Sequence, residues 1–163
     1  MSDIRIYPDS ILHERAKEVK DFTGVHHLVE KMLKTMHDEG GLGLAANQIG
    51  VASQVFVGRS DEEKGQLILV NPIIVKAGGE DVMGEGCLSV PEATIEIPRS
   101  EILVVRGLDA DGKEVEYKAE GLIARMIQHE IDHLNGVIIL DYLSKEDLLK
   151  YQMELSNMER EDK

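Results

Sequence analysis

The stretch Gln128-His129-Glu130-Ile131-Asp132-His133-Leu134-Asn135-Gly136 limits what the chain around it can become. Apolar residues through and before it, Leu122, Ile123, Met126, Ile127, Ile131 and Leu134, recur at roughly 3.6-residue spacing, which predicts a helix. Asn135-Gly136 supplies its C-terminal stop. Histidines at i and i+4 share one face of a helix, so His129 and His133 can turn their imidazoles towards one metal ion. Glu130 lies one residue round, placed to reach water at that metal rather than to ligate it. Two imidazoles leave the ligand set incomplete, because a mononuclear catalytic site takes three protein ligands and keeps one position open. The rest of the chain must deliver a third ligand and wrap a core round this helix.

A length of 163 residues predicts one domain, 1–163, large enough to bury a core without disulfide staples. Trp is absent, so Leu, Ile, Val and Met must fill that core. The net charge of −13 argues against a nucleic-acid groove and against an anionic membrane surface, and reads as a solubilising acidic exterior. Cys87 is the single cysteine, which rules out an internal disulfide and fits a reducing compartment. The N-terminal residues lack a signal-peptide apolar core, and no apolar run is long enough to span a membrane. The chain is expected to be cytoplasmic.

Along the chain, Ile4 to Ile11 reads as an extended arm with a turn at Pro8-Asp9-Ser10. Val25, Leu28, Val29, Met32, Leu33 and Met36 predict a helix from about His26 to Glu39, ended by Gly40-Gly41. Gly41-Leu42-Gly43-Leu44-Ala45-Ala46-Asn47-Gln48 reads as a tight loop whose glycines would permit close backbone approach to a ligand. Strands are expected at Val51–Val57, Gln66–Asn71, Ile73–Ala77, Thr94–Pro98, Glu101–Leu108 and Glu114–Lys118, the last two forming a hairpin about Asp111-Gly112. Ser144 opens a capping-box pattern before a terminal helix that runs to about Met158. The pattern predicts an α+β fold: mostly antiparallel β-sheets around the central metal-binding helix, with an N-terminal and a C-terminal helix.

The third ligand decides the chemistry. Taken alone, Cys87 in Glu85-Gly86-Cys87-Leu88-Ser89 would be a buried structural thiol. Beside His129 and His133 it completes a three-ligand set with one open position. Two other readings compete at this point. A zinc endopeptidase would draw its third ligand from Glu146, Glu154 or Glu159, and a structural metal site would need a fourth protein ligand.

Three motifs stand in order: the glycine-rich segment Gly41 to Gln48, Glu85 to Ser89, and Gln128 to His133. Together they resemble the peptide deformylases, as does the early Tyr7-Pro8-Asp9, and the resemblance covers nearly the whole chain. It implies a metal-dependent hydrolase that removes the N-formyl group from the N-terminal methionine of newly made polypeptides and releases formate. It implies one divalent metal ion, Fe2+ in the cell with Zn2+, Ni2+ or Co2+ as alternatives, held by Cys87, His129 and His133. Glu130 would be general base and then acid, while the Gln48 side-chain amide and the Leu88 backbone N–H stabilise the oxyanion.

By the same resemblance, the formyl-Met peptide would lie as an added strand along Leu42, Gly43 and Gly86. Its methionine side chain would enter a pocket of Leu42, Leu122, Met126 and the stem of Arg125, whose head is expected to snorkel at the rim. Leu122 and Met126 fit ordinary helix core equally well. Glu85 and Arg99 are expected to pair and brace the Cys87 loop. Asp132 reads as structural, and His13, His26, His27 and His37 as surface residues. Ser10, His13 and Asn47 occupy positions where the family commonly differs. Some relatives dock on the ribosome through a basic C-terminal helix. Here Glu146, Asp147, Glu154, Glu159, Glu161 and Asp162 outnumber Lys145, Lys150, Arg160 and Lys163, so ribosome association is expected to be weak.

Overall fold

The computed structural model describes residues 3–62 and 65–161. Met1 and Ser2, read above for a targeting signal, and Asp162 and Lys163, counted in the tail charge, lie outside the described residues. In chain order the elements are α1 (Val25–Asp38), β1 (Gly43–Ala45), β2 (Val55–Arg59), β3 (Gln66–Gly78), β4 (Asp81–Cys87), β5 (Val90–Arg99), β6 (Ile102–Leu108), β7 (Glu114–Glu120), α2 (Gly121–Leu134) and α3 (Lys145–Glu161). Short 3-10 turns occupy Ser10–His13, Ala46–Ile49 and Ile139–Tyr142. One antiparallel sheet runs β1-β2-β3-β6-β7, and β4 pairs with β5 in a second.

Strand alternation puts a helix on each face of the larger sheet. Ala45, Phe56, Leu67, Leu69, Leu103, Val105 and Ala119 face α2, where Ala124, Met126, Ile127 and Leu134 complete one core. Their neighbours Leu44, Val55, Val57 and Val70 point the other way, onto Val25, Val29, Met32 and Met36 of α1. A third cluster seats Tyr151, Leu148 and Leu155 of α3 against Val90, Ile95 and Ile97 of β5 and against Ile138, Ile139 and Leu140. Each fully buried large apolar side chain contributes about 1.5–3 kcal/mol. The architecture is the antiparallel α+β arrangement about the His-Glu helix that the pattern predicts.

The structure changes several element assignments. The glycine-rich segment is not a plain loop. Gly43, Leu44 and Ala45 pair with Gly58, Val57 and Phe56 to form β1, so sheet pairing overrides the weak strand propensity of the glycine-rich segment. β2 starts at Val55, because residues before it make tight turns, with Ser53 N–H donating to Val51 O and Val55 N–H to Ser53 O. The two strands expected at Gln66–Asn71 and Ile73–Ala77 are one strand, β3, with a register shift between Val70 and Ile73. There Asn71 adopts φ 52, and its side chain bonds Val19 N (2.8 Å) and Val19 O (2.9 Å). β4 was not expected, since Asp81 to Cys87 carries two glycines and little apolar alternation. The N-terminal arm turns at Pro8 as expected, but Ser10–His13 is a 3-10 turn.

Candidate metal centre and substrate cleft

Helix α2 is buried on most sides, with Ala124, Arg125, Met126, Ile127, Glu130, His133 and Leu134 all buried. Gln128 fixes it lengthwise, accepting from Ser100 N–H (2.9 Å) and donating to Ser100 O (2.9 Å). The β4–β5 hairpin then presents Cys87 to the helix. Cys87 Sγ lies 3.3 Å from His133 Nε2, which lies 3.2 Å from His129 Nε2. The three donor atoms all fall within 4.8 Å of one another.

Glu85 organises this centre. Its Oε1 accepts from His129 Nδ1 (2.9 Å) and Arg99 Nη2 (3.0 Å), and its Oε2 from Arg99 Nε (2.9 Å) and Arg125 Nη1 (2.6 Å). Burial works to raise the Glu85 carboxyl, but hydrogen bonds from His129 and Arg99 outweigh it and hold it at about 2. A carboxylate only accepts, so Nδ1 of His129 carries a proton and its Nε2 lone pair faces the centre. Arg99 continues through Nη1 to Asp132 (2.6 Å), which also accepts from Tyr142 OH (2.6 Å). Burial, with Asp132 close by, pushes the Tyr142 phenol up to about 12, so it stays a donor. The pairing of Glu85 with Arg99 is as expected, and Asp132 is part of the same brace.

Glu130 is 1% exposed, and its Oε2 has no hydrogen-bond partner among the described residues. Burial pushes its carboxyl up to about 7, against the opposing pull of His129. Burial also works against charge on both histidines. Hydrogen bonds to Cys87 and Glu85 overcome it and raise His129, whereas His133 is pushed down further by His129 beside it. Gln48 is fixed through Oε1, which accepts from Ala45 N–H (2.9 Å), so its Nε2 points at Ser89 Oγ (3.1 Å) and Cys87 Sγ (3.6 Å).

These groups share a cleft of about 690 Å³ that Gln48, Cys87, Leu88, His129 and Glu130 line. Leu42, Gly43, Gly86, Leu122, Arg125 and Met126 also line it. Leu122 is 53% exposed and is not core, while Met126 both lines the cleft and packs in the core. Arg125 departs from expectation. Its stem reaches the cleft, but its guanidinium is buried on Glu85, Ile97 O (2.8 Å) and Asp81 O (2.7 Å) rather than held at the rim. Positions 125, 129 and 133 share one helix face, a spacing that could have placed Arg125 beside His129 and His133. Sequence reading also missed Ser89, Tyr142, and Asn47, whose buried Nδ2 donates to His133 O. Glu146, Glu154 and Glu159 are exposed on α3, away from the Cys87, His129 and His133 group. His13, His26, His27 and His37 are exposed.

A thiol and two imidazole nitrogens facing one point suit a divalent transition metal, and the buried Glu130 carboxylate beside them, its Oε2 left without a hydrogen-bond partner among the described residues, suits a proton carrier. Fold and site together point to a metal-dependent hydrolase. Residues 1–148 match the family described as polypeptide deformylase. A peptide deformylase of Thermodesulfovibrio yellowstonii is 42% identical over 146 residues, 87% of this chain and 88% of the relative. The crystal structure of a peptide deformylase from Legionella pneumophila superposes with a TM-score of 0.91 at 40% identity, covering 99% of this chain and 97% of that one. That of a peptide deformylase from Ehrlichia chaffeensis in complex with actinonin gives 0.91 at 38% identity, over 98% of this chain and 99% of that one. The chain belongs to the peptide deformylase family, the metal-dependent hydrolases that remove the N-formyl group from nascent peptides. Among the described residues no helix is long and apolar enough to cross a membrane.

Proposed function

We propose that Cys87, His129 and His133 hold one divalent cation, ferrous iron in the cell, and that Glu130, Gln48 and the Leu88 backbone N–H handle protons and charge during deformylation. The observation that carries this reading is the convergence of three donor atoms within 4.8 Å beside a cleft lined by Cys87, His129 and Glu130, where the buried Glu130 Oε2 has no hydrogen-bond partner among the described residues. A bound cation would supply Lewis acidity, polarising the formyl carbonyl and acidifying water. Glu130 takes the proton of the attacking water. As the formyl carbon–nitrogen bond breaks, Glu130 gives that proton to the leaving amine, and formate departs. Negative charge gathers on the formyl oxygen between these events. Gln48 Nε2, already oriented by Ala45, and the Leu88 N–H are the donors assigned to it, each worth about 100- to 1,000-fold. Glu85, braced by Arg99 and Arg125, keeps His129 in the tautomer that leaves Nε2 free.

The substrate is a formyl-Met nascent peptide. β1 is the terminal strand of its sheet and borders the cleft through Gly43, so an extended peptide can add alongside it and reach the backbone of Leu42, Gly43 and Gly86. Leu42, Leu122, Met126 and the Arg125 stem form the methionine pocket. The enzyme acts in the cytoplasm, and its acidic α3 gives it only weak hold on the ribosome. Thiolate and imidazole ligands also accept zinc, nickel or cobalt, so iron is assigned by measuring the metal of cell-purified, anaerobically handled protein. Titration of apo-protein with ferrous iron should give one tight site in the wild type and none in Cys87→Ala. Actinonin should bind only the loaded form. A Cys87→Ala protein that binds one equivalent as tightly as wild type would overturn the ligand assignment.

A further inference from the structure

We infer that Arg5 and Tyr7 of the N-terminal arm are positioning residues for the oxyanion donors, their main-chain N–H groups holding the Gln48 and Ser89 segments in register. This rests on the roles proposed above for Gln48 and Leu88. Residues 3–6 belong to no helix or strand, so their N–H groups are not spent in a ladder. Arg5 N–H donates to Gln48 O at 2.6 Å, and Tyr7 N–H donates to Ser89 O at 2.8 Å. The two acceptors are 41 residues apart in the chain. Gln48 sits in the 3-10 turn Ala46–Ile49, and Ser89 follows Leu88 where β4 turns into β5. In an extended segment, N–H groups two residues apart face the same side with a spacing of about 7 Å. The arm thus sets the distance between two carbonyls that no strand pairing joins.

The same two residues meet again through their side chains. Gln48 Nε2 donates to Ser89 Oγ at 3.1 Å, while Gln48 Oε1 accepts from Ala45 N–H at 2.9 Å. Gln48 and Ser89 are 2% and 0% exposed, so a lost arm bond leaves a buried carbonyl unpaired and the amide free to shift. A primary amide has two N–H groups. With one on Ser89, the other is left for the formyl oxygen, beside Cys87 Sγ at 3.6 Å from Nε2.

The arm is anchored at both ends. Ile4 packs against the α1 core. Tyr7 joins the core between β5 and α3, and its OH accepts from Gln152 Nε2 at 2.9 Å. The Arg5 side chain is exposed and pairs with Asp9 at 3.3 Å, so its part in this device is its main chain. Neither Arg5 nor Tyr7 bonds Cys87, His129 or His133 among the described residues, so disturbing the arm moves the oxyanion donors and leaves the proposed cation ligands in place.

The test is Arg5→Pro, which deletes the N–H, with Arg5→Ala, which keeps it, as the reference. On a formyl-Met tripeptide the iron-loaded Arg5→Pro protein should lose about five- to ten-fold in kcat relative to Arg5→Ala, with KM and metal affinity within about two-fold. In a Gln48→Ala background that loss should vanish, because the Arg5 bond acts through the Gln48 amide, whereas a merely structural loss would persist. The Gln48 side-chain amide resonances of the metal-free protein, assigned by their loss in Gln48→Ala, should shift between Arg5→Ala and Arg5→Pro. Should proline at position 5 unfold the protein, the α-hydroxy analogue of alanine at that position replaces the N–H by an ester oxygen without fixing φ, against the same reference. The corresponding ester at Tyr7, compared with wild type, should also lower kcat. Equal kcat in Arg5→Pro and Arg5→Ala, an equal loss in both backgrounds, or an unmoved Gln48 amide would overturn the inference. Gln48→Ala with wild-type kcat would instead overturn the oxyanion role on which it rests.

Discussion

Glu85 shows how much of the site depends on one side chain. Two oxygens receive four donors from His129, Arg99 and Arg125, at 2.6–3.0 Å. Removing Arg99 leaves Glu85 and Asp132 short of their shared cation, so Arg99→Ala is expected to weaken metal affinity and activity together by about 10- to 100-fold. Equilibrium metal titration checks this, and unchanged affinity with unchanged activity would refute the brace. The Glu85–Arg99 pair was legible because a carboxylate beside a motif cysteine wants a partner. The Arg125 guanidinium was not, because a lone arginine on an apolar helix reads equally as a snorkelling surface residue. The glycines separate in the same way. A Cβ on Gly43 would meet Met126 Cγ and Sδ at 2.9 Å and Glu130 Oε2 at 3.0 Å, whereas one on Gly86 would meet only Ala93 O, at 3.6 Å. Gly43→Ala should therefore cut kcat about tenfold or more by displacing Glu130, since misplacing a catalytic group by ~1 Å can cost ~100-fold. Gly86→Ala should leave the melting temperature unchanged and raise KM if the peptide runs along this backbone. Steady-state kinetics beside thermal melts distinguish the two.

Among the elements, α1, α2 and the β6–β7 hairpin were readable because each satisfies its own local pattern. β1 and β4 were not, because their glycine-rich sequences become strands only through their partners β2 and β5. The long β3 shows the opposite error. Asn71-Pro72 looks like a break, yet the Asn71 side chain bonds Val19 and lets the strand run on through the irregularity. Asn71→Ala loses both bonds and leaves a Cβ residue at φ 52, so it should destabilise the protein by about 2–3 kcal/mol in denaturant titration. For α3, Ser144 Oγ accepts from Asp147 N–H at 3.1 Å, the N-cap bond the sequence suggests. Ser144→Ala should cost about 1 kcal/mol. The helix should add little ribosome affinity. Tight, salt-sensitive co-sedimentation with ribosomes that disappears on truncation after Leu143 would contradict this.

Over the whole molecule, α2 lies against one face of the five-stranded sheet, and α1 covers the other. The proposed ligands His129 and His133 thus stand on a helix packed into the core of the larger sheet, while Cys87 arrives from the smaller β4–β5 sheet, whose other support is α3. Sequence could supply the ligand types and their order, but not the distance between Cys87 and His133, which depends on how two sheets pack about one helix. The account's central claim is that Glu130 moves the proton at a metal held by Cys87, His129 and His133. Its most direct test is formate release from a formyl-Met tripeptide by anaerobically iron-loaded protein, beside Glu130→Gln at equal metal occupancy. The account predicts formate from the wild type and a loss of about 100-fold or more in the variant. No formate from folded, loaded wild type, or equal rates from both proteins, would contradict it.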